Sequence, residues 1–319
     1  MERERAGRRE WRSAGLSWAG GVPGLRWEAE AGGGAAGGGG PVSPLSYGAG
    51  AGGTVSYGRE IGFRVVGERR CVGVRGNPCP LRAVVAGRAT QAQCGECARL
   101  DRSRSVAADT MADDPRPYAV YLAWFGPGMV KVGITREDRG SARLLEQGAV
   151  AFSLLGRGPL MAARRCEELL RAGLGVPDRI SYAKKRAVRA ALPGAAERAA
   201  EVRELHARAV ELAGWPEALA VVGCEVVDYA GVFGLDGLAG AVGVVRELVS
   251  GGCVAGRVVA VAGPDVHVEV PGAGAGAGVV VVDSRLVAGW VLEKGDAGGG
   301  VTVPVKAVEG EAGVQEGLF

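Results

Sequence analysis

The chain has 319 residues, room for about two domains at ~100–200 residues each. Its 47% hydrophobic and 23% charged content is that of ordinary globular protein, and with no run of ~18 apolar residues it offers no membrane-spanning segment. A net charge of +3 excludes a strong field over the whole molecule, so any nucleic-acid contact has to come from a local patch.

Residues 1–45 read as a poorly ordered lead, with Trp11, Trp18 and Trp27 available to pack on the body. The start mixes Arg with Glu, and no apolar run of secretory type follows it, so a cytoplasmic location is expected. There the seven cysteines stay reduced, which favours metal binding over disulfides. Residues 46–112 read as a β-rich segment, with strand alternation over 54–66 and cysteines from 71 to 97; a polar linker over 99–117 closes it.

Residues 113–192 read as an α/β core. Apolar runs at 118–125 and 129–135 flank Gly126-Pro127-Gly128 and predict a β-hairpin. A helix over 137–148, a strand over 149–155 and a helix over 160–173 opened by Pro159 follow, and Ser181 caps a further helix to about 192. A helical connector spans 193–216. Residues 217–294 form a β-rich domain of Val-rich strands interrupted by a loop at 272–278, and 295–319 read as a loose tail.

Seven residues separate Cys71 from Cys79, fourteen separate Cys79 from Cys94, and two separate Cys94 from Cys97. A two-residue spacing lets one turn aim both thiolates at a single ion, and tetrahedral zinc takes two more soft ligands. Cys71, Cys79, Cys94 and Cys97 can therefore close a structural zinc shell, the alternative being buried free thiols. Cys166, Cys224 and Cys253 read as core residues. No phosphate-loop sequence occurs, so no nucleotide cofactor is expected, and two histidines without ligand spacing argue against a His-dependent hydrolase.

Polar residues punctuate the core: Tyr121 in the first strand, Lys131 and Thr135 in the second, Arg143 and Gln147 on one helix face, and Glu167 and Glu168 later. The run Ala119-Val120-Tyr121, then Lys131-Val132-Gly133-Ile134-Thr135, then Arg143, resembles the GIY-YIG nuclease pattern over about 118–192. The longer stretch YLAWFGPGMVKVGITRE with RLLEQGA resembles the bacterial domain-of-unknown-function family twenty-seven ninety-seven over about 45–293. In that family a cysteine cluster also precedes this core. The GIY-YIG resemblance implies that Tyr121 lies beside an attacking water, that Arg143 contacts the scissile phosphate, and that Glu167 (or Glu168) binds a hard divalent cation, Mg or Mn. Lys131 stands where that pattern has a second Tyr, and Gln147 where it often has His. Both depart from the nuclease set around the same water and phosphate.

Lys184, Lys185, Arg186 and Arg189 surround Tyr182 on the expected helix, and the last three form a stripe that suits a phosphate backbone or, equally, a solvated face. The expectation is an α+β, zinc-containing, nucleic-acid-binding protein with a degenerate metal-dependent endonuclease site. Its alternative is a non-catalytic, zinc-stabilised binding or scaffold protein.

Overall fold

The structure, a computed structural model, describes residues 11–19, 21–29, 57–103, 114–270, 278–296 and 298–308. In chain order the elements begin with β1 (Trp11–Ala19), β2 (Val22–Ala29), β3 (Glu60–Val66), α1 (Gly95–Arg102), β4 (Tyr118–Trp124), β5 (Val130–Arg136) and α2 (Ala142–Gln147). Next come β6 (Ala151–Gly158), α3 (Leu160–Leu174), α4 (Tyr182–Val188), α5 (Ala195–Val210), β7 (Ala220–Val221), β8 (Val227–Asp228) and α6 (Ala230–Phe233). The last strands are β9 (Ala241–Val245), β10 (Cys253–Ala262), β11 (Asp265–Val270), β12 (Gly278–Asp283), β13 (Val291–Lys294) and β14 (Val305–Ala307).

The architecture is α+β. The smaller sheet has order β5-β4-β6-β7, with β8 also paired to β6. Its β4–β5 hairpin turns at Gly126, whose carbonyl accepts from the Met129 amide at 2.8 Å. Every residue of β4 is buried, because both faces are covered. The period of two sorts its side chains. Val120, Leu122 and Trp124 enter the main core with Leu160, Cys166 and Leu170 of α3, while Tyr121, Ala123 and Phe125 join Leu144 of α2 and Phe152.

The larger sheet has nine strands, in the order β14-β9-β12-β11-β10-β3-β13-β1-β2. All its neighbours are antiparallel except β12 and β9. Its strands come from both sides of the expected core. β3 pairs with β10 and β13, so the segment before the core and the Val-rich region after it build one sheet. The expected lead contains β1 and β2, an antiparallel pair whose Trp18 packs edge-on against Phe233 and donates through Nε1 to the Gly263 carbonyl at 3.1 Å. The expected tail contains β14, which pairs with β9. β7 and β8 belong to the smaller sheet, so the β-rich region begins later than 217.

Other differences are local. The linker expected from 99 begins as the end of α1, and its residues 104–113 lie outside the described ones, as do 271–277 of the expected loop. The helix expected over 137–148 is a 3-10 turn, Glu137–Arg139, then α2, with Gly140 at φ +47° between them. Ser181 caps α4 as expected, its Oγ accepting from the Lys184 amide at 3.3 Å, but the helix stops at Val188. Cys166 and Cys253 are buried, whereas Cys224 is exposed, because β7 and β8 are short strands on the rim of the smaller sheet. No described helix is long and apolar enough to cross a membrane.

Candidate metal centre and basic cleft

The sulfurs of Cys71, Cys79, Cys94 and Cys97 all lie within 4.8 Å of one another, so the four residues form a cluster that could hold a metal ion. A tight hairpin brings the first two together. Val74 and Asn77 exchange both backbone hydrogen bonds at 2.9 Å around Arg75 and Gly76, which sit at φ +52° and +80°, as a two-residue turn of this hand requires. Gly73, at φ +75°, passes so close that a Cβ there would overlap the Asn77 carbonyl. Cys94 is the N-cap residue of α1 and Cys97 lies in its first turn, which aims both sulfurs inward.

Backbone amides already face the sulfurs. Those of Gly73 and Cys94 donate to Cys71 Sγ at 3.4 and 3.2 Å. Burial pushes the Cys71 and Cys97 thiols up. At Cys79 burial acts the same way, but the amides of Ala83 and Leu81, together with hydrogen bonds to Cys71 and Cys97, outweigh it and bring the thiol down to about 7. A tetrahedral ion with ~2.3 Å bonds to sulfur places its sulfurs ~3.8 Å apart. Cys79 and Cys94 are 3.9 Å apart, so the donor set fits zinc in both chemistry and spacing.

A cleft of about 1440 Å³ opens beside the hairpin of the smaller sheet, and Tyr121, Lys131, Arg143, Gln147 and Glu167 all line it. Tyr121 and Gly133 are cross-strand partners, and the phenol lies over the glycine, where a Cβ would collide with its hydroxyl. Gln147 Nε2 donates to Tyr121 Oη at 2.9 Å and fixes the ring from α2. Lys131 Nζ lies 5.8 Å from the Tyr121 ring centre and donates to the Asp178 carbonyl at 3.1 Å. Glu167 comes from α3, beneath the sheet, and reaches the cleft beside the edge strand β5. The chain after α3 follows that strand, Pro177 accepting from the Val132 amide at 3.0 Å.

Burial pushes the Tyr121 phenol up. It also lowers the Lys131 ammonium to about 8, helped by the Arg143 charge and opposed by Glu167. Burial raises the Glu167 carboxyl as well, against the pull of Lys131. Glu168 also lines the cleft, but it is exposed and paired with Arg171.

The stripe on α4 is mostly turned inward, with Lys185 at the edge of the cleft. Arg189 is 2% exposed and donates to Asp265, which is fully buried, at 2.5 Å. Arg186 bridges Asp265 and Asp283 at 2.5 and 2.8 Å. Lys185 is buried 3.6 Å from the Phe125 ring centre, donates to the Gln147 carbonyl at 3.0 Å, and is lowered to about 7, first by burial and then by Lys131. These three cations are therefore internal links rather than a solvated face, and Lys184 alone of the four is exposed.

Of that stripe only Lys185 lines the cleft, and most of the cleft's charge comes from other elements. Its lining carries eight arginines and two lysines against four acidic residues. Of these cations, Arg116, Arg136, Arg139, Arg164 and Arg171 form no basic run in the sequence and meet only in the folded chain.

Fold and sites define an α+β protein in which a four-thiol cluster of metal-binding type stands beside a basic cleft. Residues 58–292 match the model of the family described as "Protein of unknown function (DUF2797)", and the chain belongs to that family. No curated protein and no solved structure matches it significantly.

Proposed function

We propose that the protein binds nucleic acid in the basic cleft, that zinc on the four cysteines is structural, and that the cleft floor is a GIY-YIG-like site for phosphodiester cleavage. One observation carries the reading. Five polar residues from four elements, 46 residues apart at the extremes, meet in a single cleft whose cations outnumber its acids ten to four. The strand order β5-β4-β6, with α2 leaving β5, supports the likeness.

Each side chain has a task in that chemistry. Arg143, half-exposed, and Lys131 offer cations to the phosphate and to the charge that grows on it in the transition state. Tyr121, held by Gln147, stands where a water would attack. Glu167 offers one carboxylate, which suits a hard divalent cation that keeps several waters. Such a cation, when bound, would polarise the phosphate and lower the pKa of its water.

A second reading, binding without cleavage, is favoured by Lys131. Its ammonium stands opposite Glu167 and competes for the carboxylate that a cation would need. The two readings separate in one experiment. A fluorescein-labelled DNA duplex should bind at low salt, with log affinity falling as log salt rises. With magnesium or manganese added, the parent should nick it slowly, Glu167→Ala should abolish nicking and leave binding nearly intact, and Arg143→Ala should slow nicking about a hundredfold. Binding without nicking leaves the second reading, and no binding at low salt overturns both.

A further inference from the structure

The cleft is not built by the α/β core alone. Arg75 and Ser103, from the cysteine segment, line it together with Tyr121, Arg143 and Glu167. Arg75 is the tip of the tight hairpin between Cys71 and Cys79, and Ser103 caps the end of α1, the helix that carries Cys97. Arg75 and Asp101 of α1 face each other at 3.7 Å, both about half-exposed, so the tip and the helix end form one rim.

The base and the tip of this segment are held by different forces. At the base, the buried Arg69 guanidinium donates to four carbonyls, those of Ala86, Ala89, Arg285 and Ala288, at 2.6–2.9 Å. The Arg70 amide adds a bond to Gly289 at 2.9 Å. These links tie the base to the larger sheet whether or not an ion is present. Near the tip the bonds run within the segment itself, the Val72 amide donating to the Ala92 carbonyl at 2.8 Å and Gln93 Nε2 to the Gly73 carbonyl at 2.9 Å. The segment's buried apolar cluster is three of the cysteines themselves and Val85, with Cys94, Ala83 and Ala89 at the margin. A core this small contributes little burial, so the ion would supply most of the order.

Charge also favours a polyanion at this rim. Arg75 adds a half-exposed guanidinium to a cleft lining that holds seven other arginines and two lysines against four acidic residues.

We propose that the four-cysteine hairpin is the second jaw of the cleft, that Arg75 at its tip contacts the phosphodiester backbone, and that metal occupancy sets the affinity by fixing that tip. The inference rests on the reading of the cleft as a nucleic-acid site, and it deepens that reading. Removing the metal frees the tip, and loss of the jaw weakens binding.

The test measures two things on the full chain, zinc per chain by elemental analysis and affinity for a short fluorescein-labelled DNA duplex by anisotropy. Arg75→Asn removes the charge with a residue that tolerates positive φ. It should keep its zinc, weaken binding about tenfold at low salt, and flatten the slope of log affinity on log salt by about one. Arg88→Gln, an exposed charge on the same segment but outside the cleft, should change neither. Metal-stripped parent should bind at least tenfold more weakly, and zinc should restore it. Unchanged affinity in Arg75→Asn with zinc retained, or tighter binding by stripped protein, overturns the jaw while leaving the cleft reading intact. Failure of the zinc-loaded parent to bind overturns both.

Discussion

If the cleft takes DNA as proposed, Lys131 makes that binding depend on pH. Its ammonium is nearly buried, faces Arg143 and Arg179, is opposed by Glu167 and Asp178, and titrates at about 8 instead of the usual 10.5. A phosphate in the cleft adds negative charge next to it and raises that value in the complex. The complex therefore holds more protons than free protein and free ligand once the pH passes the free value, so affinity falls as pH rises through 8. Without added magnesium, log affinity for a DNA duplex should lose up to about one unit per pH unit between 8 and 10 on account of this group. Lys185, at about 7, adds a similar loss that begins lower. Lys131→Gln should bind more weakly at pH 7 and show a shallower decline above 8. An equal decline in parent and variant would assign the pH dependence elsewhere.

Among the elements, the cysteine hairpin is the one whose geometry leaves least freedom. Gly73 has a left-handed backbone, its amide donates to Cys71 Sγ, and the Asn77 carbonyl occupies the space of a Cβ. Gly73→Ala must therefore shift the strand that delivers Cys71, although it removes no sulfur. It should lower zinc below one equivalent per chain although all four cluster thiols remain, and Cys97→Ser, with three, should do the same. A full equivalent of zinc in Gly73→Ala would show that the hairpin can relax without losing the site. The four cysteines of the cluster were visible in the sequence because local spacing and turn residues specify such a grouping. α4 was less legible. Its start followed from Ser181, and its stripe of Lys185, Arg186 and Arg189 from helix spacing. Which way the stripe faced did not follow, because Asp265 and Asp283 lie about eighty to a hundred residues further on. A charged helix face is polar by composition whether water or a buried carboxylate neutralises it.

At the scale of the whole molecule, the chain wraps its ends around its middle. The small sheet occupies the stretch between β3 and β9, and the large sheet is assembled from what precedes and follows. Hairpin, helices and Val-rich strands could be read from local pattern, but the pairing of β3 with β10 and β13 is a long-range choice that local pattern does not encode. The same holds for the cleft. Tyr121, Arg143, Gln147 and Glu167 followed a linear motif, whereas most of its arginines meet only in the folded chain. One apolar core spans both sheets, with Phe63, Val254 and Val268 in the same cluster as Val120, Leu122 and Leu170, so denaturant should unfold them in a single transition. Asp265 is the polar link within that unit. It is fully buried, burial opposes its charge, and Arg189 and Arg186 outweigh that opposition and hold the carboxyl below its usual range. Asp265→Ala leaves the buried Arg189 without its carboxylate, and such a loss costs about 3–5 kcal/mol. The double change Asp265→Leu with Arg189→Met removes both charges and should recover much of that stability. Urea unfolding followed by tryptophan fluorescence and circular dichroism checks both expectations. The midpoint should drop in Asp265→Ala with the two signals still coincident, since Trp18 and Trp124 lie in the shared core. Two separated transitions in the parent would mean that the sheets unfold independently, and a loss below about 1 kcal/mol in Asp265→Ala would mean that water reaches Arg189 and replaces the carboxylate.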